Sequence, residues 1–177
     1  AAPAASPSNI EAEQALLGAI LINNEVYDRV ASFLAAEHFY DPVHARIFAT
    51  AARRIQKNFQ ANAVTLKTFL EDDEGLKELG GASYLARLAG AAISIYSAKD
   101  YAQAIYDLAI RRDLMRIGLE IRDRAQAADA ETEPSDQIVE AEQSLYSLAE
   151  KGRSDGGFRS FLSAATEAIE VANAAYQ

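Results

Sequence analysis

The feature that most constrains this chain is one long stretch with helical character. It runs from Lys99 to Ala128, KDYAQAIYDLAIRRDLMRIGLEIRDRAQAA, with no proline and a single glycine, Gly118. As a helix it would be about 45 Å long, more than the width of a compact domain of this size. Its apolar residues form two stripes at helical spacing: Tyr101, Ile105, Leu108, Met115 and Leu119 in one, and Ile110, Leu114, Ile117, Ile121, Ala125 and Ala128 in the other. Two apolar faces require two packing partners.

The rest of the chain predicts an all-α protein, because no segment shows the period-two alternation of a strand. Ser8 or Asn9 can cap a first helix that ends at Asn23-Asn24, and Asp41-Pro42 begins a third helix that should bury its apolar side as far as Phe59. Thr65 is expected to cap a short fourth helix. These short helices can bury their apolar sides only against one another and the long helix. We therefore predict a helical globule over residues 9–98, after a disordered tail at 1–8.

An acidic segment follows the long helix. Seven Asp or Glu residues and no Lys or Arg lie between Asp129 and Glu150, and apolar residues recur there at helical spacing. A short connection makes consecutive helices antiparallel neighbours, which predicts a protruding helical hairpin over 99–151 whose first helix is shared with the globule. Two helices cannot cover all of this apolar surface. The hairpin is therefore predicted to self-associate through Ile110, Leu114, Ile117, Ile121, Ile138, Leu145 and Leu148.

The C-terminal part predicts a linker and one more helix. Residues 152–159, GRSDGGFR, are rich in glycine and charge, as flexible linkers are. Residues 160–177 have the pattern of an amphipathic linker helix. We expect this helix to dock on a partner through Phe161, Leu162, Ala165, Ile169 and Tyr176.

The overall charge disfavours nucleic-acid binding by this chain, because its formal net charge is −9. The most basic region is the third helix, with Arg46, Arg53, Arg54 and Lys57. No aromatic stacking platform is interleaved with these charges, so a solvated face is the expected interpretation.

A search for catalytic chemistry finds no motif in the 177 residues. There is no G-x-x-x-x-G-K-[ST] loop for ATP phosphates, and no cysteine for a thiolate metal site. His38 and His44 lack metal-ligand spacing, and the neighbouring carboxylates Glu11 and Glu13 fit helix-start charges. No catalytic, cofactor-binding or metal site is therefore expected, which disfavours a small helical hydrolase. The longest apolar run, Ala15–Ile22, is too short to span a membrane.

Four segments carry a family resemblance: NIEAEQALLGAILIN, HFYDPVHARIF, LKELGGASYLARL and YAQAIYDLAIRRDLM. In this order they resemble the N-terminal region of the bacterial replicative DNA helicases, the DnaB family. The final helix, SFLSAATEAIEVANAAYQ, resembles the linker helix before that family's ATPase domain. The resemblance implies a hexameric ring with an N-terminal collar, a trimer of dimers built through the hairpins. It also implies that the linker helix docks on a neighbouring subunit's ATPase domain.

The resemblance extends to partners and cofactors. It implies that a DnaG-type primase and a helicase loader bind the protein in the cytoplasm, and that no membrane is involved. ATP, Mg²⁺ and DNA would be bound by the parent ring rather than by these 177 residues. The parent protein would be an ATP-dependent DNA helicase, while this region carries no ATPase motif.

Two functions follow from the sequence. The first is the collar and linker region of a replicative helicase, which acts by assembly and partner binding while ATP hydrolysis resides downstream. The alternative is a free-standing acidic helical adaptor or regulator that dimerises through its hairpin. A phosphate-binding loop in the coding sequence past Gln177 is expected for the first, and a stop codon there for the second.

Overall fold

The computed structural model describes residues 5–91, 95–127 and 130–153, and all regular structure within these ranges is helical, as predicted. The chain divides into two compact units, residues 1–112 and residues 113–177. The α-helices are α1 (Ile10–Ile22), α2 (Glu25–Val30), α3 (Pro42–Gln56), α4 (Ala63–Lys67), α5 (Glu74–Leu79), α6 (Ala82–Gly90), α7 (Ala98–Ala127) and α8 (Pro134–Arg153), with single 3-10 turns at Ala36–His38 and Ile95–Ser97.

The helix starts show which of the predicted caps the chain uses. Asn9 caps α1, since its side chain accepts a hydrogen bond from the Ala12 N–H at 3.0 Å. Asp41 caps α3 as predicted, with Pro42 in the first turn. The prediction that Thr65 caps α4 is wrong. Asn62 is the cap and Thr65 lies three residues later; each side chain bonds the other's backbone N–H, so two donors are satisfied at once.

Helix α3 ends at Gln56, three residues before the predicted end. Asn58 adopts a left-handed conformation with φ of 60°, which reverses the chain. The N–H groups of Asn58 and Phe59 then bond the carbonyls of Ile55 and Arg54 at 2.8 and 2.9 Å, the pattern of a Schellman C-cap. Phe59, predicted to be buried, is consequently 59% exposed.

The core of the first unit is organised around α1. Leu16, Leu17 and Ile20 are inaccessible to solvent, and α1 packs against both α3 and α6. The first half of α7 contributes Ala102 and Ile105 to the same core, so the N-terminal part of the long helix packs on the globule. Arg112 of α7 donates hydrogen bonds at 2.7 Å to the carbonyls of Pro7 and His38. It thereby ties the start of the chain and the first 3-10 turn to this helix.

A polar network is buried inside this core. The Glu13 carboxylate accepts hydrogen bonds from the backbone N–H groups of Tyr40 and Asp41 at 2.6 and 3.3 Å, and it lies 2.7 Å from His44 Nδ1. His44 Nε2 lies 2.6 Å from the Tyr84 hydroxyl, which also accepts from Gln14. A proton on Nδ1 lets His44 donate to Glu13 and accept from Tyr84, so every polar group is paired.

Burial changes how two of these groups must be interpreted. Glu13 is 2% exposed and therefore not the solvated helix-start charge that its position suggests. Burial also raises the pKa of the Tyr84 hydroxyl, which keeps it protonated as a donor. The network joins α1, the loop before α3, α3 itself and α6.

We expect Glu13→Ala to lower the free energy of unfolding by about 2–5 kcal/mol, because it leaves two backbone N–H groups and the Nδ1 of His44 unpaired in the core. Urea denaturation measures this quantity. The control is Glu11→Ala, two residues away on the exposed side of α1, which should cost less than about 1 kcal/mol. A Glu13→Ala protein as stable as the control would contradict the role assigned to the network.

A second polar cluster fixes the start of α5. Asp73 caps α5 by accepting from the Leu76 N–H at 2.9 Å, and it forms a bidentate ion pair with Arg46. A Cβ at Gly75 would lie 2.8 Å from the Arg46 guanidinium, so glycine permits this close approach. The hydrogen bonds from Arg46 hold the pKa of Asp73 below its usual value.

The lowered pKa of Asp73 gives its contribution a defined pH dependence. The stabilisation is fully present above the unfolded-state pKa of about 3.9 and disappears as pH falls through the lower folded-state value. We expect Asp73→Asn to remove this part of the acid limb when urea unfolding is measured between about pH 5 and pH 2. Asp72→Asn, at the exposed neighbour, should leave that limb as in the wild type.

Candidate functional site

The second unit contains two antiparallel helices, the last 15 residues of α7 and all of α8. Near its tip, Arg124 forms an ion pair with Glu140, and Gln137 Nε2 donates to the Arg124 carbonyl at 3.2 Å. Farther from the tip, Ile117 of α7 and Leu148 of α8 line a common groove. Going from the tip to the base of the hairpin, residue numbers fall along α7 and rise along α8. The two helices are therefore antiparallel, as the sequence predicts for a helical hairpin.

The seam between these two helices is thin. Ile117 is 3% exposed and Leu148 is 8% exposed. They are the only large apolar side chains of the described part of the second unit that are classed as buried. The hairpin therefore covers one narrow strip of each helix and leaves the remaining apolar side chains open to solvent.

One side of the hairpin is apolar and exposed. Ile121 and Ile138 line a groove of about 260 Å³ across the two helices. Leu114 precedes Ile121 by seven residues and Leu145 follows Ile138 by seven, a spacing that returns to the same side of each helix. Because the helices are antiparallel, all four side chains belong to one surface, which we call the apolar flank. They are 47, 40, 61 and 45% exposed, in the order Leu114, Ile121, Ile138 and Leu145.

A second groove in this unit has a different lining. Besides Ile117 and Leu148 it is lined by Asp113, Arg116, Ser144, Ser147 and Lys151. Arg116 forms ion pairs with Asp113 at 3.2 Å and Glu120 at 2.9 Å. Paired charges also line the first groove, where Arg124 and Glu140 form an ion pair beside Ile121 and Ile138, so the exposed aliphatic side chains of the hairpin lie among satisfied charges.

The structure separates the predicted self-association residues into three groups. Ile110 is half-buried in the first unit, and Ile117 and Leu148 are buried within the hairpin, where they hold its own helices together. The other four form the apolar flank. The predicted docking residues of the last helix, Phe161, Leu162, Ala165, Ile169 and Tyr176, lie outside the described residues.

Sequence reasoning also missed part of the exposed apolar surface. Met115 and Leu119, assigned to the stripe that packs on the globule, belong to the second unit and are 45 and 49% exposed. Val139 and Tyr146 of α8 are exposed as well, at 49 and 62%. Val139 and Tyr146 are seven residues apart, and Met115 and Leu119 are four apart. Both spacings return to one side of a helix and could have identified these exposed residues.

The described residues contain no group of three His, Cys, Asp or Glu side chains placed to hold a metal ion. No described helix is both long and apolar enough to cross a membrane. Gly80 and Gly81 have positive φ angles and form the turn between α5 and α6 rather than a phosphate-binding loop. The residues present therefore do not fit ATP.

Comparison with known proteins adds a family to this geometry. The family model of the DnaB-like helicase N-terminal domain matches residues 5–107. The replicative DNA helicase DnaB of Rickettsia conorii is 39% identical over 173 residues, which cover 98% of this chain and 35% of the relative. That of Pasteurella multocida is 30% identical over 145 residues, 82% of this chain and 31% of the relative. The chain thus spans about a third of the length of the curated relatives it matches.

Two solved structures have a similar fold. The N-terminal domain of DnaB helicase from Mycobacterium tuberculosis has a TM-score of 0.73 at 24% identity, covering 81% of this chain and 99% of that one. A DnaB-like replicative helicase, described together with its interactions with primase, has a TM-score of 0.62 at 25% identity. The structural match covers 92% of this chain and 35% of the chain of that helicase.

The thin seam makes a testable prediction about the hairpin. We expect Ile117→Ala to increase the hydrogen-exchange rates of α8 amides by at least about tenfold, because it removes a buried side chain from the seam. Mass spectrometry of peptides measures exchange in α8 and in α1 separately. The exchange rates of the α1 amides should not change. Leu119→Ala, an exposed aliphatic residue half a turn away, is the control and should leave α8 protected. Equal protection in the two variants would show that the seam does not depend on Ile117.

Proposed function

Because the chain belongs to the DnaB-like helicase N-terminal domain family, we propose that it is the collar and linker region of a hexameric replicative DNA helicase. In this proposal the region acts by self-association and partner binding in the cytoplasm. ATP hydrolysis with Mg²⁺ and DNA unwinding belong to a downstream domain. The span of about a third of the relatives' length supports this division.

The observation that carries the proposal is the apolar flank. Two hairpins placed flank to flank bring the same four residues of each copy together around a two-fold axis, as in a four-helix bundle. A two-fold contact is self-complementary, so one surface suffices for both copies. Three such dimers would complete the collar of a six-subunit ring.

The magnitudes indicate a moderate dimer contact. Each flank residue is about half exposed, so covering eight of them contributes roughly 6–12 kcal/mol, half of the usual value for full burial. Association costs about 4–15 kcal/mol, so the dimer would be marginal in isolation. Tethering within a ring raises the effective concentration and would make the same contact firm.

Partners form the second part of the proposal. One structural neighbour is described with its interactions with primase, which supports a DnaG-type primase as a partner of this chain. A helicase loader is the other partner that we propose. The linker helix, residues 160–177, would dock on the ATPase domain of the neighbouring subunit through the apolar face predicted from its sequence.

At protein concentrations high enough for the wild-type chain to self-associate, we expect the double variant Leu114→Asp/Leu145→Asp to stay at the 19.1 kDa monomer mass in light scattering. The two charges would otherwise be buried at the flank contact. Far-UV circular dichroism should remain that of the wild type, because both side chains are already about half exposed. The control is Val139→Asp. Val139 lies on α8 like Leu145 and is about as exposed, but it lies outside the flank, so this variant should keep the wild-type mass. An unchanged mass for the double variant would remove the flank from the interface.

A further inference from the structure

The end of α3 brings an exposed aromatic ring onto an arginine. In a Schellman C-cap, the residue after the left-handed position commonly makes an apolar contact with the last helical turn. Here that residue is Phe59, and its ring centroid lies 5.6 Å from Arg54 Cζ. The ring remains 59% exposed, so it is displayed on the surface.

A second ring approaches the same guanidinium from the end of α4. The centroid of Phe69 lies 4.8 Å from Arg54 Cζ, and this ring is 60% exposed. Its neighbour Leu70 and the preceding Leu66 are buried, which anchors the segment that carries the ring. Arg54 Nε also donates to the Gln60 carbonyl at 3.0 Å. Arg54 and both rings are therefore held in place without a ligand.

The segment that carries Arg54 and both rings is positively charged, although the acidic run Glu71–Glu74 follows directly after it. Residues 42–70 contain no Asp or Glu and five Lys or Arg residues, in a chain whose net charge is −9. Arg46 is paired with Asp73, but Arg53, Arg54, Lys57 and Lys67 form no ion pair within the described part of the chain. Arg54 contacts both rings, and the exposed residues Arg53, Lys57 and Lys67 lie within three residues of Arg54 or of a ring along the sequence. We call Arg54, the two rings and these three neighbouring cations the Arg54 patch.

We propose that the Arg54 patch binds single-stranded nucleic acid. Bases would stack on the exposed faces of Phe59 and Phe69, while the cations contact phosphates. Strands without base pairing combine flat apolar groups with one anion per nucleotide, which matches a patch of two rings among cations. An acidic peptide has no regular alternation of flat rings and anions. The proposal rests on the first unit alone and is independent of the apolar flank.

Fluorescence anisotropy with a labelled oligothymidine of about 12 nucleotides at low salt tests the proposal on the 177-residue chain. We expect Phe59→Ala/Phe69→Ala to weaken binding by about five- to 100-fold for each ring removed. Phe59→Leu/Phe69→Leu should lose as much, because leucine keeps the apolar bulk without the aromatic face. The matched control is Tyr40→Ala, which removes an exposed ring whose centroid lies 5.5 Å from Arg112 Cζ, outside the patch. It should bind as the wild type does.

The cations provide a second, independent readout. Arg53→Ala/Lys57→Ala should reduce the slope of log affinity against log salt by about 0.7 for each phosphate contact removed. The proposal is overturned if the wild type does not bind the oligonucleotide or if the leucine variant keeps its affinity, which would indicate an apolar protein partner. Equal displacement by polyglutamate would overturn it as well. Light scattering of every variant shows whether self-association is intact, so the two proposals can fail separately.

Discussion

The structure depends on one helix having more apolar surface than one core can cover. The first half of α7 places Ala98, Ala102 and Ile105 in the core of the first unit. Within the described part of the second unit, its second half has α8 alone beside it, and a single neighbouring helix covers a narrow strip centred on Ile117. Uncovered aliphatic residues are therefore a geometric consequence of extending the helix beyond its domain. Their seven-residue spacing gathers them into one flank that a second hairpin can match.

The first unit is held together by buried polar pairing as well as by apolar packing. Glu13, His44 and Tyr84 come from three different helices and satisfy one another in the core, where any unpaired member would be costly. The network also bonds the backbone just before α3. Arg112 of α7 adds one hydrogen bond to the Pro7 carbonyl near the start of the chain and one to the His38 carbonyl in the first 3-10 turn. These hydrogen bonds thus fix how α1, α3, α6 and α7 are positioned in the first unit, because apolar side chains alone would allow other helix arrangements.

Local signals in the sequence predicted the helices well. The long helix was expected at 99–128 and occurs at Ala98–Ala127, and the cap at Asp41 is where the Asp-Pro pair indicated. The failures concern residues whose partners lie far away in sequence. Glu13 meets groups 27 to 31 residues later, and nothing in its own helix shows that it is buried.

The basic helix shows what a local pattern cannot locate. Sequence reasoning found no aromatic stacking platform interleaved with the charges of α3. The two rings come instead from beyond the helix, one through the left-handed turn at Asn58 and one through the end of α4. The net charge of −9 was similarly uninformative, because it averages an acid-free segment with an acidic one at 129–150.

The two proposed surfaces would reinforce each other if both are correct. One Arg54 patch offers two rings and four cations, enough for a few nucleotides and therefore for weak binding. Six copies in a ring would present six such patches to one strand, and the strand would bind them with an effective concentration set by the spacing between patches. Assembly through the apolar flank would then strengthen the binding of one strand, although each copy carries the patch in its first unit alone.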